Sequence, residues 1–465
     1  MKVLVAIANY GAKNDQYLRR LLEEYRSMSH DVHVVVLSNM PKNLAAGVEL
    51  VVETPRGDPW SFPFAHKKIL AERRNHYDLF IYSEDDTLIT QRNVDAFLRV
   101  TDVLPEDEVA GFMRSERGPE GTTYLSTVHG PYHWEPTSVV CRGQYLFAHF
   151  TNDHSASYMI TRRQLDRAID SGRFLVGPHQ ENYDLLVTAA TDPYTQCGFR
   201  KMICISHISD FVLPHLPDRY VGKLGLESNE FLRQIEALQA IHYKTRPCTS
   251  LLNGGTRVAQ SRWAKSYYEP VNRDLLALVP RVARTVLSFG CGCGAMEAEL
   301  TRRGVHVTAV PLDSVIGVCA ESRGFEVVYG NLDSSLASLG GRRFDCVLLS
   351  NMLHLARQPE SLLSHLAELL SSKGVVVAAV PNLSQLPILW KRARRDPALA
   401  TLASYESSGI RLTSVRIVRT WFKKAGLKVQ EMRPTIPRRA RWAYRATGSL
   451  TSGWLASEFL LLATR

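Results

Sequence analysis

Two short runs in this chain of 465 residues combine residue types and spacings that could do chemistry. The first is Ser83-Glu84-Asp85-Asp86, three adjacent carboxylates placed directly after the apolar run Leu79–Tyr82. Neighbouring carboxylates repel one another. A hard divalent cation such as Mg2+ or Mn2+ relieves that repulsion, because it takes oxygen ligands and also bridges diphosphate oxygens. A solvated acidic turn is the competing reading of the triplet. The second run is Gly290, Gly292 and Gly294, spaced G-x-G-x-G between the apolar run Thr285–Phe289 and a helical pattern at Ala295–Arg303. Glycines there let the backbone turn tightly and approach a ligand closely.

Both runs need a sheet to position them, and the chain offers two series of alternating strand and helix patterns, the mark of α/β architecture. The first predicts strands at Lys2–Ala8, Asp31–Leu37, Glu49–Glu53, Leu79–Tyr82 and Val109–Met113, with helices at Gln16–Met28, His66–Arg74 and 227–242. The second opens with a helical lead-in, Trp263–Leu278. It continues with strands Thr285–Phe289, Val305–Val310, Glu326–Tyr329, Phe344–Leu349, Val375–Val380, Lys428–Met432 and Glu458–Ala463, and with a helix at Glu360–Leu370. Between the series, 244–258 begins KTRPCTSLLNGGTR and has the Pro, Gly, Ser and Thr content of a connector. The expected division is therefore one domain at 1–243, a linker at 244–258 and a second domain at 259–465. At this length two cores are the expectation.

In the first domain, Asn9-Tyr10 after a strand, Tyr17-Leu18 on a helix, a second strand ending Leu37-Ser38-Asn39, and then Phe80 to Asp86 follow in order. This arrangement resembles a GT-A-type nucleotide-sugar glycosyltransferase over about residues 1–225, with Glu84-Asp85-Asp86 standing where that family keeps its Asp-x-Asp motif. The resemblance implies a nucleotide-diphospho-sugar donor and a Mn2+ or Mg2+ ion. Asp86 would bind the metal, Glu84 would reach the metal or the ribose, and Asn9 would lie near the nucleotide. It also implies a metal-ligating histidine after the last strand, for which His207 and His215 compete; Pro-flanked His215 is preferred. An inverting member needs a carboxylate base. Glu181 and Asp184 open a helical segment and are candidates, or else are acids complementing a helix dipole.

In the second domain, the glycine run is followed by Phe344 to His354, a helix, Lys373-Gly374 and a strand ending Val380-Pro381-Asn382. This order resembles class I S-adenosylmethionine-dependent methyltransferases over about residues 260–465, with a Rossmann-like sheet and a last strand inserted antiparallel at the sheet edge. By that resemblance Gly290, Gly292 and Gly294 cradle the methionine part of S-adenosylmethionine, and Asn331 and Asp333 sit beside the adenine. His354 is then the base candidate, or a histidine packed beneath the cofactor. Two positions depart from the family pattern: Ser288 replaces the acid of the first strand, and Pro311 the acid that holds the ribose, with Asp313 two residues further on.

The formal charge is +10, yet residues 391–445 hold fifteen Lys and Arg against Asp396, Glu406 and Glu431, so this segment alone carries +12 and the rest sums to −2. The run PRRARWAYRA pairs arginines with Trp442 and Tyr444, which suits an anionic membrane surface. Nucleic acid is disfavoured, because Ser350-Asn351-Met352-Leu353 lacks the Pro-Pro-aromatic signature of amino-methylating DNA enzymes. Eight scattered cysteines without C-x2-C spacing indicate a reducing compartment. No run approaches the ~20 apolar residues of a membrane helix. The expectation is a bifunctional glycosyltransferase and O-methyltransferase that acts on a cell-surface glycan or lipid-linked sugar, in the cytoplasm or on the inner face of the cell membrane. The alternative is a glycosyltransferase whose methyltransferase-like half is non-catalytic and binds membrane or a partner.

Overall fold

Lys2–Asn9 is apolar at almost every position and is buried from Val3 to Asn9, as a strand covered on both faces must be. A computed structural model describes residues 1–54, 57–180, 183–252, 263–394, 399, 402, 404–447 and 451–465. The chain forms two compact units, one of Met1–His129 and His133–His242, the other of Gly130–Tyr132 and Tyr243–Arg465.

In the first unit a five-stranded sheet has the order Ser157–Thr161, Leu79–Glu84, Lys2–Asn9, Asp31–Ser38, Glu49–Val52. Only Ser157–Thr161 runs antiparallel to its neighbour. The helix Asp15–Ser27 buries Leu18, Leu21, Leu22 and Tyr25. The single strand expected at Val109–Met113 is two strands, Glu108–Ala110 and Met113–Arg117, and they enter different four-stranded sheets. The break is at Gly111, where a Cβ would lie 2.3 Å from Lys201 Cγ. The buried lysine stem passes where a side chain would stand, and the backbone turns there.

In the second unit seven strands have the order Glu326–Val327, His306–Pro311, Thr285–Cys291, Phe344–Ser350, Leu370–Pro381, Glu458–Thr464, Lys428–Thr435. The first five are parallel, and the last two each run antiparallel to their inner neighbour. Numbered along the chain this order is 3-2-1-4-5-7-6. Alternate residues feed two layers: Leu287 and Phe289 join Leu362, Leu366 and Phe422, while Val286, Leu348 and Val377 join Leu275, Met296 and Leu300. The terminal strand is not at the edge as expected. Glu458–Thr464 buries Phe459, Leu460, Leu461 and Ala463 and lies second from the edge, while the half-exposed Lys428–Thr435 takes the edge, where charged residues guard unpaired backbone.

The helical lead-in expected at Trp263–Leu278 is also corrected. Helix is confined to Arg273–Leu276, which starts where the Asn272 side chain accepts from the Leu275 N–H. Pro270 disfavours helix at Glu269, so 263–272 runs as turns and extended chain.

Candidate functional site

Parallel pairing sets Ala8 beside Glu84, so Lys2–Asn9 and Leu79–Glu84 end together at one edge of the sheet. Ligands of open α/β sheets collect at this carboxyl edge. Asn9 Nδ2 donates to Asp85 Oδ2 at 2.7 Å, and Asn14 Nδ2 donates to Asp85 Oδ1 at 2.7 Å and to Asp86 Oδ2 at 3.1 Å. Thr87 bridges to His215, the Leu216 N–H donates to the Asp86 carbonyl at 2.9 Å, and the His215 N–H donates to the Ser115 carbonyl at 2.7 Å. These bonds set His215 Nε2 3.4 Å from Asp86 Oδ2. The other ring nitrogen, Nδ1, lies 2.5 Å from Glu116 Oε1, and Glu116 Oε2 accepts from the Tyr220 N–H at 2.8 Å. The two ring nitrogens of His215 thus each face a carboxylate, Glu116 at Nδ1 and Asp86 at Nε2.

The acids at this edge are short of partners. Glu84 Oε1 and Asp86 Oδ1 are buried and accept no hydrogen bond. Burial, then the charge of Asp86, pushes the Glu84 carboxyl up to about 8, with Arg114 opposing and Asp184 adding to the rise. Burial likewise lifts Asp85 to about 6. Arg219 stands 3.8 Å from Asp86 Oδ2 and donates to Asn14 Oδ1 at 2.8 Å. Asp184 is exposed and caps the helix Leu185–Thr195 by accepting from the Val187 N–H. Glu181 lies outside the described residues. His207 is exposed and hydrogen-bonds Ser206. Thus Asn9, Glu84, Asp86 and His215 meet at one edge, and Asp184 acts on it electrostatically. Among the described residues no group of three or more His, Cys, Asp or Glu forms a ready metal cage. Glu116, Asn14 and Arg219 were not apparent from sequence. Glu116 is 99 residues from its partner and reaches it only through the pairing of Met113–Ser115 with Val212–Pro214.

In the second unit residues 263–269 pack against the corresponding edge. The sheet order reverses between Thr285–Cys291 and Phe344–Ser350, and the crevice outside that switch point is the ligand position of such sheets. Tyr267 carbonyl accepts from the Cys293 N–H at 2.8 Å, and a Cβ on Gly292 would lie 2.2 Å from that oxygen. Gly290 has φ +82°, and a Cβ there would lie 2.4 Å from Met352 Cγ. Gly294 precedes the helix Ala295–Arg302. Lys265, itself buried, pairs with Glu269, which accepts from Ser350 Oγ at 2.6 Å and Asn351 Nδ2 at 3.2 Å. Burial works against the Glu269 charge, but Lys265 and these donors outweigh it and hold its carboxyl below the usual range.

Glu297, Asp313 and His354 are bonded within the chain. Ser288 Oγ donates to Glu297 Oε1 at 2.5 Å. Buried Asp313 accepts from the N–H groups of Val315 and Ile316 at 2.8 Å each, and the stretch 249–251 pairs over it through the Leu251 N–H to Leu312 carbonyl bond. Asn331 is spent as a helix cap, accepting from the Ser334 N–H, and Asp333 lies exposed in the first turn of that helix. His354 Nε2 faces the Trp263 carbonyl at 2.8 Å and so must donate to it, which leaves Nδ1 buried without a partner.

Residues 262–432 match the family model described as a methyltransferase domain. Ubiquinone biosynthesis O-methyltransferase of Nitrosococcus oceani is 27% identical over 154 residues, 32% of this chain and 65% of that protein. The protein of the same description from Cereibacter sphaeroides is 30% identical over 115 residues, 24% and 47% of the two chains. An uncharacterized methyltransferase of Mycobacterium bovis is 33% identical over 112 residues, 23% and 57%. The chain therefore spans about half to two thirds of the length of these curated relatives. Among solved structures, a SAM-dependent methyltransferase from Archaeoglobus fulgidus aligns over 42% of this chain and 90% of its own at 16% identity and TM-score 0.32. One from Mesorhizobium loti aligns over 42% and 96% at 18% identity and TM-score 0.30. The second unit carries a class I S-adenosylmethionine-dependent methyltransferase domain, on the family match and the sheet order.

S-adenosylmethionine is the methyl donor that the family match implies for this unit, and at the end of Phe344–Ser350 the buried Asn351 Oδ1 is left without a partner. Gly292 and Gly290 let the Tyr267 carbonyl and the Met352 side chain approach the backbone closely, and Glu269 and Asp313 are hydrogen-bonded within the chain.

Two outcomes follow from this packing. Gly292→Ala forces a methyl against a backbone carbonyl that cannot retreat. It is expected to destabilise the second unit by on the order of 1–3 kcal/mol, read as a lower melting temperature; an unchanged transition would show that the glycine is not in contact with 263–269. Burial also holds the His354 imidazole down at about 4, below the ~6.5 of free histidine. Because the folded-state value is depressed, the stability tied to the neutral ring is complete above about pH 6.5 and is lost as pH falls toward 4. His354→Gln should therefore flatten the pH dependence of unfolding by on the order of 3 kcal/mol across that window, and an unchanged slope would contradict the burial.

Proposed function

We propose that the first unit transfers a sugar from a nucleotide-diphospho-sugar in the manner of a GT-A glycosyltransferase, and that the second methylates an oxygen of the same glycan or lipid-linked sugar. The observation that carries the reading is the convergence of Asp86 and His215 beside carboxylate oxygens that are buried without partners. Mg2+ and Mn2+ are often held by one or two protein ligands together with substrate phosphates, so a two-ligand edge that lacks a full cage suits a cation that arrives with a diphosphate. Such a cation would supply charge neutralisation of the leaving diphosphate.

This chain's own residues would do the rest. Asp86 and His215 Nε2 hold the cation, and Glu84 keeps a carboxyl in reserve beside it. Asn9 and Asn14 fix Asp85, and Arg219 offers a guanidinium to phosphate oxygens at the rim. Asp184, exposed at the start of the helix Leu185–Thr195, takes the proton of the acceptor hydroxyl. A second reading, in which the methyltransferase half is silent while 263–269 stays in place, is favoured by the Lys265–Glu269 pair and the Tyr267 carbonyl in the switch-point crevice.

Asp86→Asn and His215→Ala are each expected to abolish the rise in melting temperature that Mn2+ and a nucleoside diphosphate produce together, and to slow sugar transfer at least about a hundredfold. Retention of either effect removes the metal assignment. Calorimetry with S-adenosylmethionine separates the two readings of the second unit. Heat of binding to the native chain supports the active one. No binding to the native chain, with binding recovered in a Lys265→Ala/Glu269→Ala variant, supports the silent one.

A further inference from the structure

The helix Leu386–Ala393 turns the wrong face to water. Ile388 is buried, but Leu386, Leu389 and Trp390, spaced i, i+3, i+4 along one face, are exposed, Trp390 by 57%. Nothing acidic lies between Leu386 and Arg394, and Lys391, Arg392 and Arg394 follow the apolar face directly. The Arg394 guanidinium stacks on the Trp390 ring at 3.6 Å, so the aromatic and the cation form one amphipathic tip.

Two further short helices share this rim. Buried Asn382 donates from Nδ2 to the carbonyls of Gly453 and Ala456, at 2.9 Å each, and Pro381 pairs with Glu458. The helix Ser452–Leu455 is thereby tied beside the chain that leads into Leu386–Ala393, and it presents Trp454, 54% exposed. Thr447 Oγ1 hydrogen-bonds Thr451 Oγ1 at 2.5 Å and joins to it the helix Arg441–Thr447. That helix presents Trp442, 75% exposed, with Arg438, Arg439, Arg441 and Arg445 exposed around it and no acid from 438 to 447. Three exposed tryptophans, two exposed leucines and seven cations therefore gather where the strand Leu370–Pro381 ends, at the carboxyl edge of the sheet.

A free phosphate or a nucleic acid duplex would use the cations but gives no reason to leave leucines and tryptophans in water. A bilayer with anionic headgroups uses both, because indole rings settle at the headgroup level while Lys and Arg meet the surface charge. Among the described residues no helix is long and apolar enough to cross a membrane, so the arrangement lies in the interface instead. We propose that the rim formed by Leu386–Ala393, Arg441–Thr447 and Ser452–Leu455 docks the second unit on an anionic lipid surface, carboxyl edge toward the membrane. The docking stands apart from both transferase readings.

The full chain is mixed with vesicles of phosphatidylcholine alone, or with about 30 mol% phosphatidylglycerol, at about 0.1 M salt, and sedimented. At least about tenfold more protein should sediment with the anionic vesicles, with tryptophan emission shifted to the blue. A Trp390→Ala/Trp454→Ala variant, shown by its melting transition to be folded, should lose most of this binding and the shift. An Arg438→Gln/Arg439→Gln/Arg441→Gln variant should lose the preference for anionic vesicles. Equal sedimentation with both vesicle types, unshifted emission, native-like binding by the tryptophan variant, or full displacement by duplex DNA would each overturn the proposal.

Discussion

A carboxylate that has lost its water must find another partner, and the two carboxyl edges in this chain meet that demand in opposite ways. At the first edge, Glu84 and Asp86 keep buried oxygens without a donor, and burial pushes the Glu84 carboxyl up to about 8. At the second, Glu269 has Lys265, Ser350 and Asn351, Glu297 has Ser288, and Asp313 has two backbone N–H groups. Unmet polar groups in a folded interior are costly and gather where a ligand will meet them. The first edge keeps acceptors without donors, and the second pairs these acids within the chain. Segment 263–269 contributes to the difference, because it supplies the Lys265–Glu269 pair and the carbonyl that accepts from the Cys293 N–H.

The strand endings were legible in the sequence, because parallel strands buried on both faces read as continuous apolar runs with a sharp polar stop, as at Tyr82 to Ser83 and at Leu349 to Ser350. Asp86 and His215 could each be singled out from local chemistry. Their meeting could not, since it depends on the bridge from Thr87 to His215, across more than a hundred residues. Glu116 gave no local signal, being one acid in an ordinary strand. The lead-in was misread for a physical reason: apolar spacing from Trp263 to Leu278 mimics a helix, but Pro270 breaks it and the segment's carbonyls and charges are used by the sheet edge instead. Glu269 and Lys265 were hidden by the same error.

The charge has a place as well as a size. Its excess lies beyond the fifth strand of the second sheet, in short helices that also carry exposed tryptophans. On the proposed reading, sugar transfer and docking on lipid in one chain would share a local pool of substrate. The sequence already located the positive segment. That Leu386, Leu389 and Trp454 join it depends on Asn382, which ties two distant stretches of chain together.

The central claim is that Asp86 and His215 Nε2 hold a divalent cation that arrives with a diphosphate. The most direct measurement is pulsed electron paramagnetic resonance of Mn2+ bound to the full chain with a nucleoside diphosphate present. The account predicts a nitrogen coupling from a directly bound imidazole together with phosphorus coupling, and the loss of the nitrogen signal alone in His215→Gln. Mn2+ that shows only water and phosphate around it in the native chain, or a nitrogen signal that survives in His215→Gln, would contradict it.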